Sequence, residues 1–409
     1  METLDRNDLA MPEITLNPDQ TTLDDILERA RALLPVLRKR ATSTERLRRL
    51  PDDTHRDFIE AGFYRIMQPR AFGGLELPFG SQTALGTELA RACGSSSWVA
   101  TLFACHAWIL GMFDPQAQAE VWDEQPGALV ASSFLCQKSQ ITRVTGGIRL
   151  TGQWRYSSGV DHAHWLIVLA AFDDPLLDGR RAFHYLLMPM RDVRVEDTWY
   201  STGMAGTGSN DVFMDDVFIP EHRMLEAVGL RGGPTPGSAV NPGYLYSQPL
   251  FGTFSFNLVG NVIGLARGAA EVVIEALTAR TSITGATISA QQSIQLRVAD
   301  ALSGINAAQA LVFRNRDEII ADGLAGRIAD LPTRARYRGD NGFATRLCVD
   351  AVDQLVPALG ARGLEAGHPL QRIWRDIHTV SQHIALTWDV QGSIYGAVAL
   401  GYPCPDPRV

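Results

Sequence analysis

The apolar positions of this chain change their period twice. In TTLDDILERARALLPVLRKRATSTERLRRL they recur at helical spacing, with Thr22 or Asp24 placed to cap the first turn. PDDTHRDFIEAGFYRIM predicts a second helix, opened by Pro51 and stopped near Gly62. GSQTALGTELARACGSSSWVATLFACHAWILGMF predicts two more around the small-residue break Gly94–Ser97, and DPQAQAEVWDEQ a short one. From about Ala128 to Glu226 short apolar and aromatic runs alternate with Gly, Asp and Pro turns. GALVASSF, SQITRVTGGIRLTGQWRYSSG, HWLIVLAAF, RAFHYLLMPM and NDVFMDDVFIP are the predicted strands, and VTGGIRL predicts a hairpin turning at Gly146–Gly147. The connector GLRGGPTPGSAVNPGY reads equally as a linker or as a substrate-covering loop. Helical period then returns in four long stretches that start FNLVGN, SAQQSI, TRARYR and PLQRIW. Four long helices in a row predict a bundle.

The predicted fold class is therefore α+β and mainly α. It comprises an N-terminal helical domain over 1–126, an antiparallel β-domain over 127–228 and a C-terminal four-helix bundle over 229–409.

Composition narrows the partners more than the chemistry. A net charge of -8, spread without single-sign blocks, leaves no footprint for nucleic acid or an anionic membrane. The basic residues are almost all arginine, with Lys39 and Lys138 as the lysines. Cys93, Cys105, Cys136, Cys348 and Cys404 are scattered without CxxC spacing, which argues against a disulfide framework and a structural zinc site. A reducing, cytoplasmic setting follows. The N-terminus METLDRNDLAMPEITLNPDQ has neither the basic nor the apolar region of a signal peptide. No apolar run is expected to span a bilayer, HWLIVLAAF being too short.

The stretch GQWRYSSGVDHAHW, Gly152 to Trp165, holds the candidate chemistry. His162 and His164 would share one face of a strand, as metal ligands do, but no further His, Glu or Cys completes a set. As a plain turn, Ser157, Ser158 and Gly159 would reverse the chain. As one wall of a cofactor pocket, the serines would be the working part. GMAGTGS is not a GxGxxG between strand and helix, and Gly206 and Gly208 read first as turn glycines.

Three segments in order carry a resemblance: TGQWRYSSGVDHAHW, WYSTGMAGTGSNDVFMDDVFIPEHR and LQRIWRDIHTVSQHIALTWD. Together with RRLPDDTHRDFIEAGFYRIMQPRAFGGLEL and ACGSSSWVATLFACHAWILGMFDPQAQAEVW, they are similar to the flavin-dependent oxygenases built on the acyl-CoA dehydrogenase fold. These are the oxygenase components of two-component aromatic hydroxylases.

The resemblance implies a monooxygenase that takes reduced FMN or FADH2, undecided between them, and O2 as co-substrate. It would form a C4a-hydroperoxyflavin and hydroxylate a phenol- or indole-like ring. A separate NAD(P)H:flavin reductase would supply the flavin, by diffusion alone or by docking, and the oxygenase would be a homotetramer without a metal. FNLVGNVIGLARGAA would suit burial at its interface. Ser158 falls where a hydroxyl meets flavin N5, with Ser157 as runner-up; Ser132, Ser133 and Trp154 would also line the flavin. His383 would take the phenol proton, and His106 would bond substrate or peroxide. His162 is a minor pocket candidate; His378, five residues before His383 on one helix, would point elsewhere. The dehydrogenase signatures are missing: the first strand reads SSFLCQ without Thr-Glu-Pro, and RxQFG becomes RTSITG, where Arg280 alone remains to meet a diphosphate. The rival readings are an acyl-CoA dehydrogenase-like flavin oxidoreductase, a non-catalytic binding protein, and an N- or S-oxygenase on the same fold.

Overall fold

The computed structural model describes residues 17–174, 180–227, 229–279, 287–406 and 408–409. Five helices open the chain: α1 (Leu23–Leu47), α2 (Asp52–Ala61), α3 (Ser81–Leu89), α4 (Gly94–Leu110) and α5 (Pro115–Trp122). Thr22 caps α1 in a reciprocal box with Asp25, and Gly62 ends α2 at φ +79°. The break between α3 and α4 falls at Ala90–Cys93, one step before the expected Gly94–Ser97. Those small residues form the first turn of α4 because they pack rather than interrupt. Ser97 Oγ donates to Asn261 Oδ1 at 2.6 Å, across to the bundle.

Eight strands follow: β1 (Val130–Ser133), β2 (Leu135–Val144), β3 (Gly147–Ser157), β4 (Trp165–Asp174), β5 (Arg180–Pro189), β6 (Arg194–Glu196), β7 (Asn210–Pro220) and β8 (Met224–Glu226). They make two four-stranded sheets, ordered β1-β4-β5-β8 and β2-β3-β7-β6. The domain is antiparallel except at one place: β1 pairs parallel to β4. The chain leaves the first sheet at Phe134, builds the β2–β3 hairpin in the second and returns as β4, so β1 and β4 are joined by a crossover and run the same way. The hairpin turns at Thr145–Gly146, with Gly146 at φ +79°; Gly147 already pairs with Val144.

The remaining helices are α6 (Leu250–Thr253), α7 (Phe256–Thr278), α8 (Gln292–Leu324), α9 (Leu331–Leu355), α10 (Pro369–Val380) and α11 (Trp388–Ala399). Contrary to the sequence expectation, Leu250–Thr278 is long and apolar enough to cross a membrane. Its most apolar window is 78% buried, because α7 is the helix around which the bundle and the N-terminal helices pack. A Cβ on Gly260 would lie 2.1 Å from the Thr83 carbonyl oxygen, and one on Gly264 2.7 Å from that of Thr87. The small-residue face of α7 is thus used within the chain, against α3, rather than reserved for a second copy. The connector is held as well: Asn241 donates to Gly111 O at 2.9 Å, and Trp108 Nε1 donates to Leu245 O at 2.7 Å.

The last predicted helix is two. Ser381–Thr387 leaves helical geometry between α10 and α11, with Thr387 Oγ1 donating to Ser381 O and His383 O. His383 lies in this turn, so a helical rotation does not relate it to His378.

Candidate active site

Four segments meet where β1 ends: the start of α4, β1 itself, the turn after β3, and the turn after α10. Ser158, in the β3–β4 turn, is 9% exposed. The indole N–H of Trp98 donates to its Oγ at 3.1 Å, and the Ser209 hydroxyl lies 2.7 Å away. Ser209 is in turn 2.7 Å from Thr207 Oγ1, which donates to the Met204 carbonyl at 2.8 Å. Trp98 also stands edge-on to His383, ring centroids 5.8 Å apart.

The ring of His383 is stacked 6.4 Å from Phe254, and Phe254 lies 5.7 Å from Phe134, the residue after β1. The Ala385 N–H donates to His383 Nδ1 at 3.2 Å. A backbone N–H only donates, so the neutral imidazole carries its hydrogen on Nε2. Desolvation holds the ring at a pKa of about 4, so it is neutral at working pH. Nε2–H is therefore a donor. His383 is placed to bond an oxyanion; taking the phenol proton at Nε2, as expected from the sequence, would first require the tautomer to change.

His106 has the opposite tautomer. Its Nδ1 faces the Val130 carbonyl at 2.7 Å and must donate, so Nε2 accepts the Ser132 hydroxyl at 2.7 Å. Burial lowers its pKa to about 4. With its hydrogen committed to His106, Ser132 keeps oxygen lone pairs to accept a hydrogen bond. Burial of the imidazolium is costly, so His106 is a sink for a proton only when a negative charge forms beside it.

The other expected residues fall elsewhere. Ser133 donates to Arg155 O at 2.5 Å and ties β1 to β3, because neighbouring strand residues face opposite ways. Trp154 is fully buried and donates to Leu169 O at 2.8 Å; it locks one sheet onto the other and is not part of the Ser158 cluster. Ser157 Oγ is buried without a hydrogen-bond partner. His162 stacks on His55 at 4.2 Å, and its Nε2–H donates to Leu50 O, which anchors the Ser158 turn to α2. His164 accepts the Leu129 N–H at 3.0 Å. His378 lies 2.9 Å from Asp353 Oδ1. Arg280 lies outside the described residues. Among the described residues no group of three or more His, Cys, Asp or Glu could hold a metal ion.

Sequence reasoning missed Trp98, Ser209, Thr207, Phe134 and Phe254. It also missed Asp376, whose buried carboxylate accepts the Met204 N–H at 2.5 Å and is raised by desolvation to about 6. The WRD run offered a signal: a carboxylate on the buried face of a helix needs a partner.

The fold and site define a class, and comparison with known proteins agrees. Residues 22–122 match the acyl-CoA dehydrogenase N-terminal domain, and residues 257–388 the C-terminal domain. The flavin-dependent monooxygenase oxygenase subunit HsaA of Rhodococcus jostii RHA1 is 34% identical over 94% of this chain and 100% of its own. The FADH2-dependent resorcinol hydroxylase oxygenase component of Rhizobium sp. MTP-10005 is 34% identical over 92% of this chain and 94% of its own. The crystal structure of 3-HSA hydroxylase from Rhodococcus sp. RHA1 superposes with a TM-score of 0.89 at 32% identity, covering 96% of this chain and all of that one. The chain belongs to the oxygenase components of the two-component flavin-dependent monooxygenases, on the acyl-CoA dehydrogenase fold. It is an enzyme that uses reduced flavin and O2, and a separate reductase supplies the flavin.

Proposed function

We propose that this enzyme hydroxylates a phenolic ring. The observation that carries this is the Ser132–His106 pair, whose hydrogens leave Ser132 able only to accept from a substrate hydroxyl. The donor-only Nε2 of His383 suits the phenolate that results. Phe134 and Phe254, in contact with each other, form one continuous apolar wall for the ring to pack against. The resorcinol hydroxylase among the relatives acts on a phenol, which supports the same reading.

Ser158 fits the flavin. It has one lone pair left, suited to an N–H donor such as N5–H of the reduced ring. When bound, reduced flavin supplies the two electrons that activate O2. One oxygen atom enters the ring and the other leaves as water. Ser158 holds N5–H, the aromatic walls exclude water, Ser132 passes the phenol proton towards His106, and His383 donates to the substrate oxygen. The dehydrogenase alternative needs a carboxylate base in the pocket. The buried carboxylate found nearby, Asp376, is bound to the Met204 amide instead.

Exposed Leu324, Leu400 and Tyr402 near the bundle ends support a homotetramer, which sedimentation would check. The free cysteines support a cytoplasmic setting.

The test supplies reduced flavin, O2 and matched pairs of phenols and their methyl ethers. A phenol that turns over is expected to lose its product when O-methylated, with O2 diverted to peroxide. Equal product from both would overturn the role given to Ser132.

A further inference from the structure

The hydroxyls behind Ser158 form a run that ends on a backbone carbonyl, and that end sets their direction. A carbonyl oxygen only accepts, so Thr207 must spend its hydrogen on Met204 O. Ser209 is then the donor across the 2.7 Å contact to Thr207, and Ser158 the donor across the 2.7 Å contact to Ser209. Trp98 Nε1–H takes one of the two lone pairs on Ser158. What remains on Ser158 is a single lone pair and no hydrogen.

The end of the chain is fixed as firmly. Met204 O also accepts the Trp199 indole N–H at 3.0 Å and the Thr207 backbone N–H at 3.1 Å, so three donors converge on it. The Met204 N–H is held by the buried Asp376 carboxylate, and the residue sits in the left-handed region at φ +54°. A non-glycine residue keeps such a conformation where its surroundings over-determine it. Asp376 and Trp199 are thus positioning residues for a carbonyl that orients three hydroxyls.

Reduced and oxidised flavin differ at N5 in the way this chain can read. Reduced flavin presents an N–H there; oxidised flavin presents a lone pair. We infer that the Met204–Thr207–Ser209 chain makes Ser158 an obligate acceptor, so that the site selects reduced flavin and expels the oxidised product. This rests on the reading that Ser158 faces flavin N5. Met204 carbonyl, Thr207 and Ser209 act through Ser158 and touch no substrate. The consequence for turnover is direct. A reduced flavin would offer its N5–H to Ser158, whereas the oxidised form would face the Ser158 lone pair with a lone pair of its own.

The experiment measures flavin affinity, not activity. The purified protein is titrated anaerobically with dithionite-reduced FMN and FAD, and separately with the oxidised forms. The wild type is expected to bind the reduced form at least tenfold more tightly. Ser209→Ala frees the Ser158 hydrogen, which can then turn to oxidised N5. It is expected to cut the discrimination about tenfold, mainly by tightening oxidised flavin, a shift near 30 mV in the bound couple. Thr207→Val, of nearly the same shape, acts in the same direction more weakly and serves if Ser209→Ala does not fold. Ser209→Thr is expected to restore the wild-type ratio.

Equal affinity of the wild type for both redox states would overturn the inference. So would an unchanged ratio in folded Ser209→Ala and Thr207→Val. Failure of the underlying reading looks different: Ser158→Ala would then leave both affinities as they were, whatever the ratio.

Discussion

In the proposed reading Ser132 and Ser158 stand on two walls of one site, and both spend their hydrogens, but on different partners. Ser132 gives its hydrogen to a histidine; Ser158 gives its own to a run of two hydroxyls that stops at a backbone carbonyl. A histidine can keep a proton, and a carbonyl cannot. The first wall can therefore move a proton onward, while the second can only accept and hold one where it is. Oxygen insertion needs both behaviours: a proton removed from the substrate and a proton retained on the flavin.

Breaking the moving wall has the larger effect. Ser132→Ala interrupts the path from substrate to His106 and is expected to slow product formation by about 100-fold with flavin affinity unchanged. Stopped-flow product formation at saturating phenol measures this; a loss that appears only in KM would show that Ser132 merely binds. Breaking the holding wall is gentler. Ser158→Ala would remove the hydrogen bond proposed to N5–H, and roughly tenfold faster peroxide release is expected, as for loss of a bond to a buried group.

The comparison is sharpened by pH. His55 is held at about 2, and His106, His164 and His383 at about 4, in each case by burial first. The unfolded chain takes up these protons near the ordinary 6.5, so it binds more protons than the folded protein below that pH. Stability is expected to fall as pH drops from about 6.5 towards 4. Asp376 works the other way, since its raised value lets the folded state keep a proton between about 6 and 3.8. Four histidines outweigh one aspartate. Melting temperatures across this range check the sign; a flat or rising profile would contradict it.

Local rules reached the helices and most strands, because their period is written in consecutive residues. Thr22, Gly62 and the Gly146 turn were legible for that reason. The parallel β1–β4 pairing was not, because the crossover joins residues 35 apart, as in Val130 with Trp165. The break at Ser381–Thr387 was missed because no glycine or proline marks it and the apolar spacing runs on. His383 was legible as a residue but not as a donor, since its tautomer is set by a backbone amide two positions away. Ser132 and Ser133 could not be told apart without knowing which face of β1 meets α4. The hydroxyl relay needed four distant segments to be assembled: Trp98, Ser158, Thr207 with Ser209, and Asp376.

The most direct test omits the substrate. Wild type, Ser158→Ala and Ser132→Ala, each loaded with reduced flavin, are mixed with oxygenated buffer and the rate of hydrogen peroxide appearance is followed. Faster release is expected from Ser158→Ala and a wild-type rate from Ser132→Ala, because only the partner of Ser132, the phenol, is missing. The same acceleration in both variants, or in neither, would contradict the division of labour between the two serines.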